Sequence, residues 1–255
     1  MIRAAVALGS ALLFAFIALP LAGLVFRLTP VEVWTNLATP SALSALRLSL
    51  ETTAAALAIT IALGTPLAYA LARGAFPGKR IVDAIVDLPI VVPPAVAGLA
   101  LLLIFGRNGL LGPALRGAGL QLSFTTAAVI MAQVFVASPF YVRGARAGFS
   151  GVARTLEMAS ATLGMGPLRT FGFVTVPLAL PALLGGAVLC WARALGEFGA
   201  TIMFAGNLAG VSQTLPLAVY LNLEGGSVDI ATALSVALIA ISLCVVFALR
   251  VLERR

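Results

Sequence analysis

Five long apolar runs without a charged residue constrain the fold of this chain more than any other feature. An α-helix needs about 20 such residues to cross the hydrocarbon core of a bilayer. The runs cover residues 4–26, 52–72, 88–106, 117–142 and 230–249. A sixth candidate, residues 176–204, has Arg193 and Glu197 as its only charged residues. Because the runs are too long and too continuously apolar for barrel strands, we predict an all-α, polytopic membrane protein with six transmembrane helices.

The overall composition agrees with this class. The chain is 61% hydrophobic and 10% charged, whereas soluble domains are about 45–50% apolar and about 25% charged. The first run is longer than the apolar core of a cleavable signal peptide, and the chain beyond it is equally apolar. We predict one transmembrane domain over residues 1–255, in which the first run is retained as a helix.

The positions of lysine and arginine predict the orientation, because cytoplasmic loops carry an excess of both. With six spans and a cytoplasmic N-terminus, eleven basic residues lie inside and four lie outside. Both termini are therefore predicted to be cytoplasmic. The four outer residues are Arg27, Arg47, Arg107 and Arg116.

Residues 208–223 are apolar enough to raise the question of a seventh span. Such a span would send the basic tail outward and bury Asn207, Gln213, Asn222 and Glu224. We reject it and predict that residues 207–222 form a re-entrant or capping loop on the outer face. Its candidate contact residues are Asn207, Gln213 and Thr214.

Several classes of chemistry lack the residues that they require. The chain has no histidine, which removes the commonest general base and most zinc sites. Lys79, the only lysine, lacks the glycine and the Ser or Thr of a phosphate-binding loop. Cys190 and Cys244 show no metal or redox spacing. We predict no catalytic residue, no metal and no cofactor held by this chain, so energy for driven transport must come from an ion gradient or from a partner.

The remaining charge patterns do not change this interpretation. Asp83 and Asp87 lie at the predicted inner start of span three, where the helix dipole stabilises acidic side chains. We expect them to stabilise the helix N-terminus rather than to act as a general acid or base. The net charge of +7 comes from basic residues at the predicted membrane edges. The sequence has no basic patch interleaved with aromatic residues, so nucleic-acid binding is not predicted.

Arg193 and Glu197 lie four residues apart and can pair on one helical face. Either charge alone in hydrocarbon would cost several kcal/mol, so pairing or an aqueous surrounding is required. Two roles stay open: a position along the translocation path, or a structural clasp between helices. Small residues at every fourth place, Ala192, Gly196 and Ala200, permit close helix approach.

The segment between spans four and five, about residues 150–172, is long for a connection in a helical bundle. Ser150 or Thr155 is a candidate cap for a short helix that ends at Gly164 and Gly166. Such a helix, with Leu156, Ala159 and Leu163 on one face, suits a groove on a soluble partner. The alternative is an interfacial helix that rests on lipid headgroups.

The sequence EMASATLG, followed by VTVPLALP, resembles the EAA loop of importer-type ABC permeases, a cytoplasmic coupling helix that docks on the ATPase subunit. Glu157, Ala159, Gly164 and Pro177 match that pattern. Glu157 lies seven residues before Gly164 rather than the usual six, so its role is left open. The resemblance assigns the ATPase-coupling role to Thr155, Glu157, Ala159, Ser160, Leu163, Gly164, Met165 and Gly166.

Three further segments resemble the molybdate ABC transporter permeases, with the sulfate/thiosulfate permeases as nearest relatives. They are LPIVVPPAVAGLALLLIFGRNGLLG, ASPFYVRGARAGF and ARALGEFGATIMFAGNLAGVSQTLPLAVY. The resemblance implies a homodimer in a prokaryotic inner membrane, with two ATPase subunits that hold ATP and Mg, an external binding protein and a tetrahedral oxyanion as cargo. The chain itself is then a non-catalytic permease for molybdate or tungstate. The alternatives are a sulfate/thiosulfate permease and an ion-gradient-coupled carrier.

Overall fold

The computed structural model describes residues 2–253, and every regular element among them is helical. Thirteen α-helices and one π-helical turn follow one another along the chain. They are α1 (Ile2–Val25), α2 (Pro30–Leu37), α3 (Pro40–Arg73), α4 (Lys79–Val91), α5 (Pro94–Phe105), α6 (Gly112–Gly117), α7 (Thr126–Gly151), α8 (Arg154–Thr162), α9 (Pro167–Thr170), the π turn (Phe171–Thr175), α10 (Val176–Leu195), α11 (Gly199–Ala205), α12 (Leu215–Glu224) and α13 (Val228–Glu253).

Five continuous helical stretches are long and apolar enough to cross a membrane, and a bent pair supplies a sixth. The five stretches are Val6–Val25, Pro40–Arg73, Thr126–Gly151, Pro167–Leu195 and Val228–Val245. The bent pair is α4 and α5, whose axes turn by 116°. The predicted all-helical architecture is therefore confirmed, and the count reaches the predicted six spans when the bent pair is taken as one span.

Two predicted spans have different bounds in the structure. α3 begins twelve residues before residue 52, because Arg47 and Glu51 pair at 2.6 Å on an exposed helix face and the helix continues through them. α7 begins at Thr126, where the Thr125 hydroxyl accepts a hydrogen bond from the Ala128 amide. Residues 118–125 are therefore loop rather than membrane helix.

Two other predicted spans are interrupted. The span over residues 88–106 breaks at Val92 and Pro93, because proline supplies no amide for the helix ladder. The span over residues 176–204 ends at Leu195 and resumes at Gly199. Pro66, in contrast, lies within the continuous helix α3. The ten-residue α12 is too short to cross a bilayer, which agrees with the rejection of a seventh span.

α7 packs against both α3 and α10 and forms the centre of the molecule. Small residues bring these helices together: a Cβ atom on Gly144 of α7 would lie 2.8 Å from the Gly186 Cα of α10. Gly64 of α3 similarly lies against the Tyr141 ring. The close approach of backbones is the packing expected between membrane helices.

Asp83 and Asp87 do not serve as helix-terminal acids, which corrects the prediction. They lie in the middle of α4, where Asp83 pairs with Arg146 and Asp87 pairs with Arg143 at 2.6 Å. These two ion pairs attach α4 to the last third of α7. Arg254 and Arg255, on which part of the orientation prediction depends, lie outside the described residues.

Candidate functional site

The short helix α8 presents apolar side chains to its surroundings. Leu163, just after the helix, is 84% exposed, and Leu168 at the start of α9 is 88% exposed. Leu156 and Met158 are also exposed. α8 packs mainly on the neighbouring α9 and π turn, and an apolar surface remains open on a polar segment of the chain.

The predicted short helix is confirmed, but its predicted caps are wrong. Ala153 occupies the N-cap, and no side chain caps the first turn. Ser150 lies within α7, and Thr155 lies within α8. At the other end Gly164 has a φ of 82°, a left-handed conformation that favours glycine and ends the helix as predicted.

Glu157 connects α8 to the membrane helices. Its Oε1 atom accepts hydrogen bonds from Arg73 Nη2 at 3.0 Å and from Thr175 Oγ1 at 2.8 Å. Arg73, at the end of α3, also donates to the Val152 carbonyl at 2.7 Å. One carboxylate therefore ties the short helix to α3 and to the π turn that leads into α10.

A second contact fixes the other end of the segment. The Ser160 and Thr170 hydroxyls lie 2.8 Å apart, and both residues are buried. The predicted set thus divides into two groups: Glu157 and Ser160 face inward and anchor the helix, whereas the outward group is exposed. The exposed residues are Thr155, Ala159, Leu163, Gly164 and Gly166, with Met165 half-buried.

Aromatic rings continue the contact from α8 into the bundle. The Tyr69, Phe149 and Phe171 rings form a triangle with centroids 4.9 to 5.8 Å apart. These rings come from α3, α7 and the π turn, and Phe149 is fully buried. A displacement of the anchored α8 would therefore meet a packed cluster rather than a flexible side chain.

The two helix breaks lie side by side. A Cβ atom on Gly199, at the start of α11, would lie 2.9 Å from the Pro94 Cβ at the start of α5. One turn later, a Cβ on Gly98 would lie 2.8 Å from the Met203 Cβ. Broken helices that meet inside a membrane are typical of sites where transporters expose polar backbone to a cargo.

Arg193 and Glu197 lie at this junction, and their predicted pairing is confirmed at 2.7 Å between Nη1 and Oε2. The Glu197 side chain is 1% exposed, and its Oε1 accepts a hydrogen bond from the Ala200 amide at 2.7 Å. Glu197 therefore satisfies the first turn of α11 and the Arg193 charge together. The Arg193 side chain, in contrast, is 28% exposed.

The predicted row of small residues is not a continuous helical face. Gly196 ends α10, so Ala200 belongs to α11 and follows a different axis. The close approach occurs instead between α11 and α5, through Ala200 and Gly98.

Sequence reasoning missed a buried polar network between α3, α7 and α10. Gln133 donates to the Thr52 hydroxyl at 3.2 Å, and Trp191 donates to Thr53 at 3.0 Å. The Gln133 Oε1 atom, like the Thr60 and Thr201 hydroxyls, is buried without a hydrogen-bond partner among the described residues. The available signal was a glutamine inside an apolar run, where a polar side chain must find a partner.

The predicted loop contact residues face inward instead of outward. Gln213 donates to Asn207 Oδ1 at 3.0 Å, and both Gln213 and Thr214 are buried. The Leu215 amide donates to the Ser49 hydroxyl at 2.7 Å, which fixes the loop to α3. Gln213 and Thr214 therefore organise the loop from within, whereas Asn207 is partly exposed. No cluster of metal-ligating side chains occurs within residues 2–253.

Comparison with known proteins adds three similarities. Residues 64–255 match the family described as binding-protein-dependent transport system inner membrane component. The chain is 43% identical over 235 residues to the molybdenum transport system permease protein ModB of Mycobacterium tuberculosis, covering 91% of this chain and 87% of that protein. It is 33% identical over 253 residues to the sulfate transport system permease protein CysT of Salmonella typhimurium, covering 97% and 91%.

A similar fold occurs in a solved transporter structure. The bacterial alginate ABC transporter, in complex with an alginate pentasaccharide-bound periplasmic protein, superposes with a TM-score of 0.79. The match covers 100% of this chain and 94% of that chain at 17% sequence identity. This likeness shows the fold.

Proposed function

The chain belongs to the family of binding-protein-dependent transport system inner membrane components, and we propose on that premise that it is the membrane-spanning subunit of an ATP-driven molybdate importer. The observation that carries the proposal is the 43% identity to a molybdenum permease over 91% of the chain. Sulfate is the second candidate cargo, supported by the lower identity to a sulfate permease. Tungstate, another tetrahedral dianion, belongs with molybdate in this proposal.

The proposed assembly contains two copies of this chain, two ATPase subunits and an external binding protein. ATP and Mg would be held by the ATPase subunits, because this chain has no phosphate-binding loop. A single bundle with one ion pair at the junction of its two helix breaks offers little polar lining for a dianion, whereas two copies can share a path between them. The charge distribution supports placing both termini and α8 on the cytoplasmic side.

In the proposed mechanism α8 transmits ATPase closure to the membrane helices. The exposed Leu163 and Leu168 would bury apolar surface against the ATPase. Glu157 would carry the resulting displacement to α3 through Arg73 and to α10 through Thr175. The two broken helices would then change their separation, which supports access from alternate sides of the membrane.

The two residues of the buried ion pair have different proposed roles. Glu197 is almost fully buried and holds the junction, since a carboxylate facing the cargo would repel a dianion. Arg193 is accessible and carries the opposite charge to the cargo. We assign Arg193 to the translocation path and Glu197 to its positioning.

The docking surface can be tested with the variant Leu163→Asp. A carboxylate in the centre of the apolar surface is expected to reduce co-purification of the ATPase at least about tenfold, which corresponds to about 1.4 kcal/mol. The matched control is Val31→Asp, which alters an equally isolated apolar side chain, 72% exposed, on α2. Retention of the ATPase by Leu163→Asp, with normal membrane insertion of both variants, would contradict the role of α8.

A further inference from the structure

Two adjoining cavities lie where the end of α5, α6 and the loop that precedes α7 meet. Their volumes are about 200 Å³ and about 460 Å³. They share a wall that consists of Gly106, Arg107, Gln121 and Ser123. The smaller cavity has a second arginine, Arg116, in its lining. This region is separate from α8 and from the Arg193–Glu197 pair.

The charge in the smaller cavity is not balanced by the chain. Arg107 and Arg116 line it together, and neither forms an ion pair within residues 2–253. No carboxylate contributes to the lining of either cavity. Both arginines are exposed, so water and salt screen their mutual repulsion and an anion can reach them from solution.

Hydrogen-bonding groups accompany the two arginines. Ser123 is 2% exposed and lines both cavities, so its hydroxyl is a buried polar group in their shared wall. Gln121 adds an amide to the same wall. Guanidinium groups with planar pairs of N–H donors, together with neutral donors, are the side chains that bind tetrahedral oxyanions in proteins.

The cavity wall is joined to the junction of broken helices. Phe124, next to Ser123, has a φ of 61°, which is unusual for a residue with a side chain. Its amide donates to the Phe204 carbonyl in α11 at 3.2 Å. α11 is the helix whose first turn Glu197 holds, so an anion in the cavity would lie one short helix away from the Arg193–Glu197 pair.

We propose that this cavity is a binding site for a tetrahedral oxyanion, held by Arg107, Arg116, Ser123 and Gln121. The inference deepens the proposed function, on which it rests for its position on the outer side of the membrane. A free oxyanion would meet this site before it reaches the broken helices. The phosphate of a lipid headgroup has the same chemistry, and the two sources require separate measurements.

The test is equilibrium binding of radiolabelled molybdate, and separately of labelled sulfate, to the full chain in phosphatidylcholine nanodiscs. The double variant Arg107→Gln with Arg116→Gln is expected to weaken binding at least about tenfold. Arg107→Lys with Arg116→Lys, which keeps the charge, should restore part of it. Arg27→Gln is the matched control, because it removes an outer arginine that lines neither cavity.

A second arm measures labelled phosphatidylglycerol that is retained through detergent purification. Arginine-dependent retention without molybdate or sulfate binding would assign the site to a lipid phosphate. If neither the free anions nor the lipid bind in an arginine-dependent manner, the inference is wrong. Thermal unfolding of each variant shows whether a loss of binding reflects a loss of folding.

The binding result also separates this inference from the proposed function. Normal molybdate import together with unchanged anion binding by the double variant would overturn the cavity site alone. Failure of molybdate import with arginine-dependent sulfate binding would overturn the proposed cargo and leave the site in place.

Discussion

The Glu157 carboxylate has two simultaneous contacts that a residue in the first turn of an exposed helix does not need for solubility. Its carboxylate is paired with Arg73 in a contact where the side chains are only 16% and 14% exposed. It also accepts the Thr175 hydroxyl. Because the pair is largely desolvated, loss of one partner leaves a charge with little compensation.

Replacement of Glu157 by Ala is expected to lower the free energy of unfolding by about 2 kcal/mol, below the 3–5 kcal/mol of a fully buried pair. Transport should fall more than ATP hydrolysis in the assembled complex, because the ATPase still docks on the exposed face of α8. The ratio of cargo moved to ATP hydrolysed measures this uncoupling. An equal fall in both rates would show that Glu157 supports assembly only.

Arg193 and Glu197 differ in exposure, and we use this difference to assign Arg193 to the translocation path and Glu197 to a structural role. Glu197→Ala is expected to destabilise the protein by about 3 kcal/mol, because it removes the α11 cap and leaves a guanidinium unpaired. The double variant Arg193→Ala with Glu197→Ala should recover about 1 kcal/mol of that loss.

Import kinetics provide the second measurement on this pair. Arg193→Gln should raise the KM for the imported anion, because it removes the cation without removing the α11 cap. An unchanged KM in a stable Arg193→Gln variant would assign both residues to a structural clasp.

At the scale of helices, contacts between small residues hold α3, α7 and α10 together. Gly144 and Gly186 bring two backbones into direct contact, whereas Gly185, one position away, has nothing within 4 Å of its Cβ position. Gly185 and Gly186, which are neighbours in α10, therefore differ in whether a side chain can be accommodated at their position.

Gly144→Leu is expected to separate α7 from α10 and to destabilise the protein by about 3 kcal/mol or to abolish its accumulation in the membrane. Gly185→Leu is the matched control and should be tolerated within about 1 kcal/mol. Thermal unfolding in detergent compares the two. Equal tolerance would mean that α7 and α10 do not pack as closely as described.

The sequence predicted the helical elements well where charge was absent and less well where charge was paired. Arg47 with Glu51 and Arg146 with Asp83 allowed α3 and α7 to extend beyond the charge-free runs. Pro93 and Pro94 indicated a local kink in span three but not the 116° turn that the backbone makes there. The break at Gly196 was not predicted, because an apolar run carries no signal of where a helix ends. Proline alone was ambiguous, since Pro66 lies in a continuous helix.

The candidate site was also only partly predictable. The spacing of Arg193 and Glu197 was sufficient to predict their pairing, because four residues place them on one helical face. The partners of Glu157, in contrast, come from residues 84 and 18 positions away along the chain. Local pattern contains no information about such contacts, so Arg73 and Thr175 were found only in the structure.

On the scale of the whole molecule, the described structure is a permease whose two proposed functional regions lie in different parts of the fold. α8 offers an apolar surface to a soluble partner, and the broken helices offer Arg193 to an anion. Glu157, the aromatic triangle and the helix contacts of α7 form a continuous packed route between them. In the proposed mechanism, ATPase closure reaches the anion path along this route.

The most direct test is molybdate uptake into proteoliposomes that contain this chain, its ATPase and its external binding protein, with ATP inside. We predict uptake of labelled molybdate that requires ATP, competes with tungstate, and is reduced little by an equal concentration of sulfate. Molybdate uptake by this chain alone along an ion gradient would contradict the central claim. Abolition of the labelled molybdate uptake by an equal concentration of sulfate would contradict the proposed cargo.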